Sequence, residues 1–246
     1  MLVRKLKAEL KAKSGATGPS PEGFRVRAKG TTRPGDYDLQ CGATIAATGF
    51  TAPLLDLEQL GVRTVAQGRI PALNPLFESP GAPGIFFAGN ASQGAPGLKK
   101  HGVGAVSAVV RGLRYNARIL AEHLAERLVA YERPRRQLGD DELVPFLVSE
   151  LTSAPELWTQ KGYLCRVAGL DGPFDDGIQP LEYFLDAGGG DAVAVTVQLN
   201  SQGEIFPSVY VRRGGRIQET ELDPHPLNEF DREPYRQQLA TLLGKP

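Results

Sequence analysis

The spacing of apolar residues changes several times along this chain, and each change marks an element. At the N-terminus Leu2, Leu6 and Leu10 recur at every fourth position with lysines between them, which predicts an amphipathic helix. A Gly/Pro/Ser stretch at 14–23 ends it. Phe24, Val26 and Ala28 then alternate as in a strand, and after a turn at 33–36 a second run follows over 37–47. Its later part, 43–47, is small and apolar without interruption, the pattern of a strand covered on both faces. A long Pro-rich connection at 51–83 leads to GIFFAGN at 84–90, read as a compact apolar strand. From 102 to about 127 the period is helical, with Ala105, Ser107 and Ala108 first and Leu113, Ile119, Leu120 and Leu124 later.

The charged segment ERPRRQLGDDE at 132–142 interrupts this pattern and places a domain boundary near Pro134, dividing the chain into 1–132 and 133–246. Beyond it, Asp140 is expected to cap a short helix running to about 151, and Pro155 to open another running to 167. After a Gly-rich turn at 188–190, Val193, Val195, Val197 and Leu199 share one face of a strand while Ala194, Thr196 and Gln198 share the other. A hairpin turn at 200–203, a returning strand at 205–212, a Gly-Gly turn and a third strand at 216–221 make a meander, and a helix at 234–243 closes the chain. The C-terminal part is thus a small α+β domain, helices on an antiparallel meander.

Composition narrows the function classes. With 41% hydrophobic residues in 246 the chain can bury one or two cores. Its 28 basic and 28 acidic residues cancel, so no bulk field holds nucleic acid or an anionic membrane, and neither is expected as a partner. No apolar run is long enough to span a bilayer, and the basic N-terminus lacks the apolar core of a signal peptide. Cys41 and Cys165 stand far apart and outside any metal-ligand spacing, so no metal site is expected, and a reduced, cytoplasmic setting fits.

Chemistry concentrates at two places. Thr48, Gly49 and Phe50 end the first apolar run, and Gly89 and Asn90 end the second. In an open α/β sheet ligands collect beyond the carboxyl ends of strands, although a tight turn without a ligand would explain either tripeptide alone. Next come Lys99, Lys100 and His101, and then a helix opening on Gly102, Val103 and Gly104, whose bare N–H groups would suit a carbonyl or phosphate oxygen. Close helix packing and solvated lysines would account for the same residues.

The ordered set ATGF at 47–50, PGIFFAGN at 83–90, a Gly-rich loop and a small-residue helix resembles the closing segment of the FAD domain in flavoproteins of the pyridine nucleotide-disulfide oxidoreductase-like superfamily. Residues 133–246, with LWTQKGYL, PLEYFLD, FPSVYVR and HPL in series, resemble the extension of one bacterial branch of it. The resemblance implies an α/β remnant of a Rossmann-like FAD domain at 1–132. It also implies FAD as cofactor and NAD(P)H as hydride donor in the complete enzyme. Thr48, Gly49 and Phe50 would then lie along the FAD. Gly89 and Asn90 would meet its ribityl and pyrophosphate region, Asn90 standing where the family commonly has Asp. Gly102 and Val103 would point N–H groups at the flavin pyrimidine oxygen, where negative charge grows on reduction, and His101 just before them would add positive charge to the cofactor site. No catalytic side chain is identified, since hydride transfer needs no general base.

Neither of the two nucleotide fingerprints of that family is present. Gly102-Val103-Gly104-Ala105-Val106-Ser107 matches only the first part of GxGxxG. The resemblance therefore implies a truncated, C-terminal portion of an FAD-dependent oxidoreductase that completes one side of the pocket and is inactive alone, either a fragment of a longer product or one half of a split enzyme with a separately encoded N-terminal half as partner. A non-catalytic scaffold module or a small-molecule-binding protein derived from such an enzyme stays open, as does a homo-oligomer formed through an exposed sheet edge. His123, beside Glu122 and Glu126, reads as part of a solvated helix face, and His225, between prolines, as a rigid loop residue.

Overall fold

The computed structural model of the chain describes residues 6–8, 24–30, 35–41, 43, 54–65, 68–94, 100–101 and 110–245. They belong to two compact units, Met1–Phe50 and Thr51–Pro246.

In the first unit, strands β1 (Leu6–Ala8), β2 (Phe24–Gly30) and β3 (Asp36–Cys41) form an antiparallel sheet in chain order. β2 and β3 are joined in the register Phe24↔Cys41 to Lys29↔Asp36, as the alternation of Phe24, Val26 and Ala28 predicts. β1 departs from the expected N-terminal helix. Leu6, Lys7 and Ala8 pair with Gly30, Lys29 and Ala28, taking up the free edge of β2, and edge hydrogen bonding outweighs the helical propensity of these residues over so short a stretch. Leu2 and Leu10 lie outside the described residues. Of the small apolar run at 43–47 only Ala43 is described, and it is exposed and in no strand.

The second unit begins with a single 3-10 turn at Leu55–Leu60 and a two-residue ladder of β4 (Thr64–Val65) and β5 (Ile70–Pro71). The strand expected at 84–90 does not form. Phe86 makes one isolated antiparallel bridge to Glu78, and a 3-10 turn occupies Gly89–Gly94. Pro80 and Pro83, which cannot donate to a ladder, fold the intervening residues into a loop closed by Ser79 N–H to the Ile85 carbonyl at 2.9 Å and Gly84 N–H to Glu78 Oε1 at 2.7 Å. Helix α1 (Val110–Val129) follows, and Tyr115, Ile119 and Leu120 on its buried stripe pack with Leu73, Phe77, Tyr163 and Leu164.

The remaining strands are β6 (Arg136–Gln137), β7 (Leu164–Gly169), β8 (Phe174–Pro180), β9 (Ala192–Leu199), β10 (Ile205–Arg213) and β11 (Arg216–Glu221), in one antiparallel sheet of order β11-β10-β9-β7-β8-β6. With them stand α2 (Leu143–Ser153), α3 (Pro155–Thr159), α4 (Leu181–Asp186) and α5 (Glu233–Leu243). One core joins Leu143, Leu147 and Leu151 of α2 and Tyr235, Leu239 and Leu243 of α5 to Val193, Val195 and Val197 of β9 and Val209 of β10. Opposite lies a smaller cluster of Cys165, Val167, Leu181, Phe184, Ala194 and Tyr210. The architecture is therefore mixed α/β, with every strand pair among the described residues antiparallel.

Three expectations in this part change. Asp140 is not the cap of α2; it accepts an ion pair from Lys245 at 2.5 Å, and Glu142 occupies the N-cap position. The helix opened by Pro155 ends at Thr159, because Gly162 turns at φ 67 and the chain enters β7, so Cys165 lies in a strand. The meander of three strands is half of a larger sheet: β7 is buried on both faces and β8 carries Asp175, Asp176 and Gly177, so neither shows strand alternation in the sequence.

Candidate functional site

Gly89 adopts φ 64 and opens the 3-10 turn that carries Asn90. The left-handed conformation favours glycine, but space also matters here: among the described residues a Cβ built on Gly89 would have no heavy atom within 4 Å. No described residue covers that side of the backbone, and Asn90 beside it is exposed.

The turn is held by a chain of buried amides and a hydroxyl. Ser92 Oγ donates to the Gly89 carbonyl at 2.8 Å, Asn116 Nδ2 donates to Ser92 Oγ at 3.4 Å, and Gln160 Nε2 donates to Asn116 Oδ1 at 2.7 Å and to the Gly112 carbonyl at 3.2 Å. Ser92, Asn116 and Gln160 are all buried. The turn is thereby tied through α1 to the end of α3, and buried polar groups joined in this way fix one geometry. Sequence reading missed these three residues. The signal was present for one of them: Asn116 sits beside Tyr115 on the stripe continued by Ile119 and Leu120, where an apolar residue would be expected.

Lys100 and His101 are placed against the edge of the six-stranded sheet. Lys100 Nζ donates to Glu219 Oε1 at 2.5 Å and to Glu221 Oε1 at 2.6 Å, while Tyr210 Oη donates to Glu219 Oε1 at 2.6 Å. The His101 ring meets Phe206 edge-on at 5.2 Å, and its Nε2 lies 3.3 Å from Glu221 Oε1 without hydrogen-bond alignment. Burial works against the Lys100 ammonium, but the bonds to Glu219 and Glu221 outweigh it and hold its pKa above the ordinary lysine value. Burial likewise raises Glu219, and the bonds from Lys100 and Tyr210 reverse this and hold its carboxyl below the usual range. Of the expected site residues in this loop only His101 is described, and it is turned toward Phe206 and Glu221.

Thr48, Gly49, Phe50, Gly102 and Val103 lie outside the described residues. Of the other chemical candidates, His123 lies tilted against Phe86 at 6.1 Å, and His225 Nδ1 accepts the N–H groups of Leu227 and Glu229 at 3.2 Å, closing its own loop. Burial pushes the Cys165 thiol up, which leaves it a poor nucleophile. Burial also raises the Tyr163 phenol, with the Glu182 charge adding to it. Among the described residues no group of three or more His, Cys, Asp or Glu is placed to hold a metal ion, and no helix is long and apolar enough to cross a membrane. No protein-family model, curated protein or solved structure matches this chain, so the relationship suggested by its motifs rests on the residues themselves.

Proposed function

We propose that this chain supplies one wall of an FAD pocket in an NAD(P)H-dependent flavin oxidoreductase, with the nucleotide fingerprints contributed by a separate N-terminal half. The observation that carries the reading is the Gly89 turn, covered by no described residue on the side of its missing Cβ and tied down by Ser92, Asn116 and Gln160. A cofactor that approaches backbone needs a missing side chain and a backbone that does not yield, and both are found at the position where the ordered ATGF and PGIFFAGN motifs put the ribityl chain. The residues present fit the group. Gly89 would leave room for it, and Asn90 could donate to and accept from a ribityl hydroxyl.

The flavin, when bound, would supply the electron transfer. This chain would position it: Ser92 Oγ holds the Gly89 carbonyl, and Lys100 and His101 are fixed on the sheet edge. Expressed with FAD and desalted, residues 1–246 should keep little flavin alone and about one equivalent when co-purified with an N-terminal half bearing both fingerprints. A colourless complex with that half would defeat the reading.

A non-catalytic scaffold is the second reading, favoured by one observation. The main core, from Leu138 to Leu243, is built without any residue of the Gly89 turn, so the layer it supports could persist after cofactor binding was lost.

A further inference from the structure

Away from the Gly89 turn, a cavity of about 400 Å³ opens between α1, the connector at 131–134 and β8. Its floor is made by an irregularity in the sheet. Val167 pairs with Gly177 and the next residue, Ala168, pairs with Asp175, which leaves Asp176 as an extra, unpaired residue. Such a bulge re-aims side chains, and here Asp176 meets Arg133 at 3.5 Å and Arg135 at 3.1 Å. Gly177, at φ 86, admits the guanidinium: a Cβ there would lie 2.8 Å from Arg133 Nη1.

The charges in this cavity are incompletely matched. Arg133 stands 3.6 Å from Glu122, 3.6 Å from Glu126 and 3.5 Å from Asp176, and hydrogen-bonds to none of them; its Nε is buried with no acceptor. Asp176 Oδ1 is buried with no hydrogen-bond donor. Arg166, also in the wall, is committed to Glu150 at 2.6 Å and Asp175 at 3.3 Å. Glu156, half-buried across the cavity, has no ion-pair partner among the described residues. A buried donor or acceptor left unmade costs about 1–3 kcal/mol, and more when charged. One water would fill only about 30 Å³ of the space and would leave the charges unneutralised.

We infer that this cavity binds a small zwitterion of the α-amino-acid kind, its carboxylate on Arg133, its ammonium on Glu156 and Asp176, and its short side chain against Tyr115, Tyr131 and Ile178. The volume falls in the range of small-molecule sites, about 300–1,000 Å³. Both signs of charge are needed, because a simple cation would meet the Arg133 guanidinium and a simple anion the Glu156 and Asp176 carboxylates.

The test is titration calorimetry of the full chain against the twenty amino acids, with cadaverine and propionate as single-charge controls. Saturable binding at roughly 10 µM to 1 mM is expected for a subset of the amino acids and not for the controls. Glu156→Gln and Arg133→Gln should each weaken it about tenfold or more. Absence of saturable heat up to 10 mM, or cadaverine binding as tightly as any amino acid, would overturn the inference. Should Arg133→Gln disturb the fold by circular dichroism, Glu156→Gln decides alone: its side chain has no ion pair or hydrogen bond among the described residues to lose, and unchanged affinity in that variant rules the site out.

Discussion

The C-terminal sheet and the irregular segment at 72–94 belong to the same unit and are held together by different physics. In the sheet, valines of β9 alternate with small and polar residues, α2 and α5 present leucines at every fourth position, and the result is a continuous core. In the loops, regular periodicity is absent. Phe77 is fully buried at φ 67, Asn74 Oδ1 accepts the N–H groups of Leu76 and Glu78 at 3.0 Å, and single hydrogen bonds define the path. The candidate chemistry sits in the second kind of region. Irregular backbone is what leaves a glycine bare and an amide exposed, and it needs an outside anchor, here Asn116 and Gln160, to stay in place.

This contrast can be broken at its strongest point first. Phe230 is fully buried, stacks on Trp158 at 6.0 Å and meets Tyr235 edge-on at 5.4 Å. Phe230→Ala should cost about 3–5 kcal/mol and lower the melting transition of the whole C-terminal layer. Phe77→Gly should cost less, about 2–4 kcal/mol, because the lost burial is partly offset by release of the left-handed conformation. Hydrogen exchange should then speed up in residues 72–87 and remain slow in β9. Uniform loss of protection in both would show that the two regions unfold as one.

A smaller change tests the link between them. Asn116→Ala leaves Gln160 Nε2 and Ser92 Oγ short of a partner, at about 1–3 kcal/mol. Exchange should rise at 89–94, whereas a change confined to α1 would mean that the amide chain does not hold the turn.

The smallest effect is the anchoring of Lys100. Glu219, with its folded pKa depressed, contributes stability that is present above its unfolded value of about 4.3 and is lost as pH falls through the folded one. Lys100, with its folded pKa raised, contributes stability that is present below about 10.4 and is lost as pH rises through the folded value. The amide shifts of residues 100–101 and β11 should therefore stay constant across the neutral range and move together below about pH 4 and above about pH 10.5. These side chains are over a third exposed in part, so the worth of the anchor is under about 1 kcal/mol. A transition near neutral pH would contradict this account of the anchor.

The same contrast explains what the sequence made legible. The β9–β11 meander and α5 could be read because one period describes each, and turns at Asn200–Gly203 and Gly214–Gly215 separate them. β7 could not be read: it lies between β9 and β8 with both faces buried, and LCRVAG has no alternation to separate strand from helix. β8 was hidden by its own bulge at Asp176. Gly89 and Asn90 were found as a motif, but the strand drawn for them was wrong, because two prolines and a fold-back onto Glu78 decide that path. Ser92 and Gln160 had no local signal at all, since their roles arise only when α1 brings residues 92, 116 and 160 together.

The central claim is that Gly89 is a glycine because a cofactor lies against it, and not merely because its backbone turns left-handed. Gly89→Asn separates the two, since asparagine tolerates that conformation and the built Cβ meets nothing among the described residues. The measurement is flavin absorbance retained after desalting by the chain paired with an N-terminal half bearing both fingerprints, parent against Gly89→Asn, with folding checked by circular dichroism. The pocket placement predicts a folded variant that has lost the flavin; a folded variant that keeps as much flavin as the parent would contradict it.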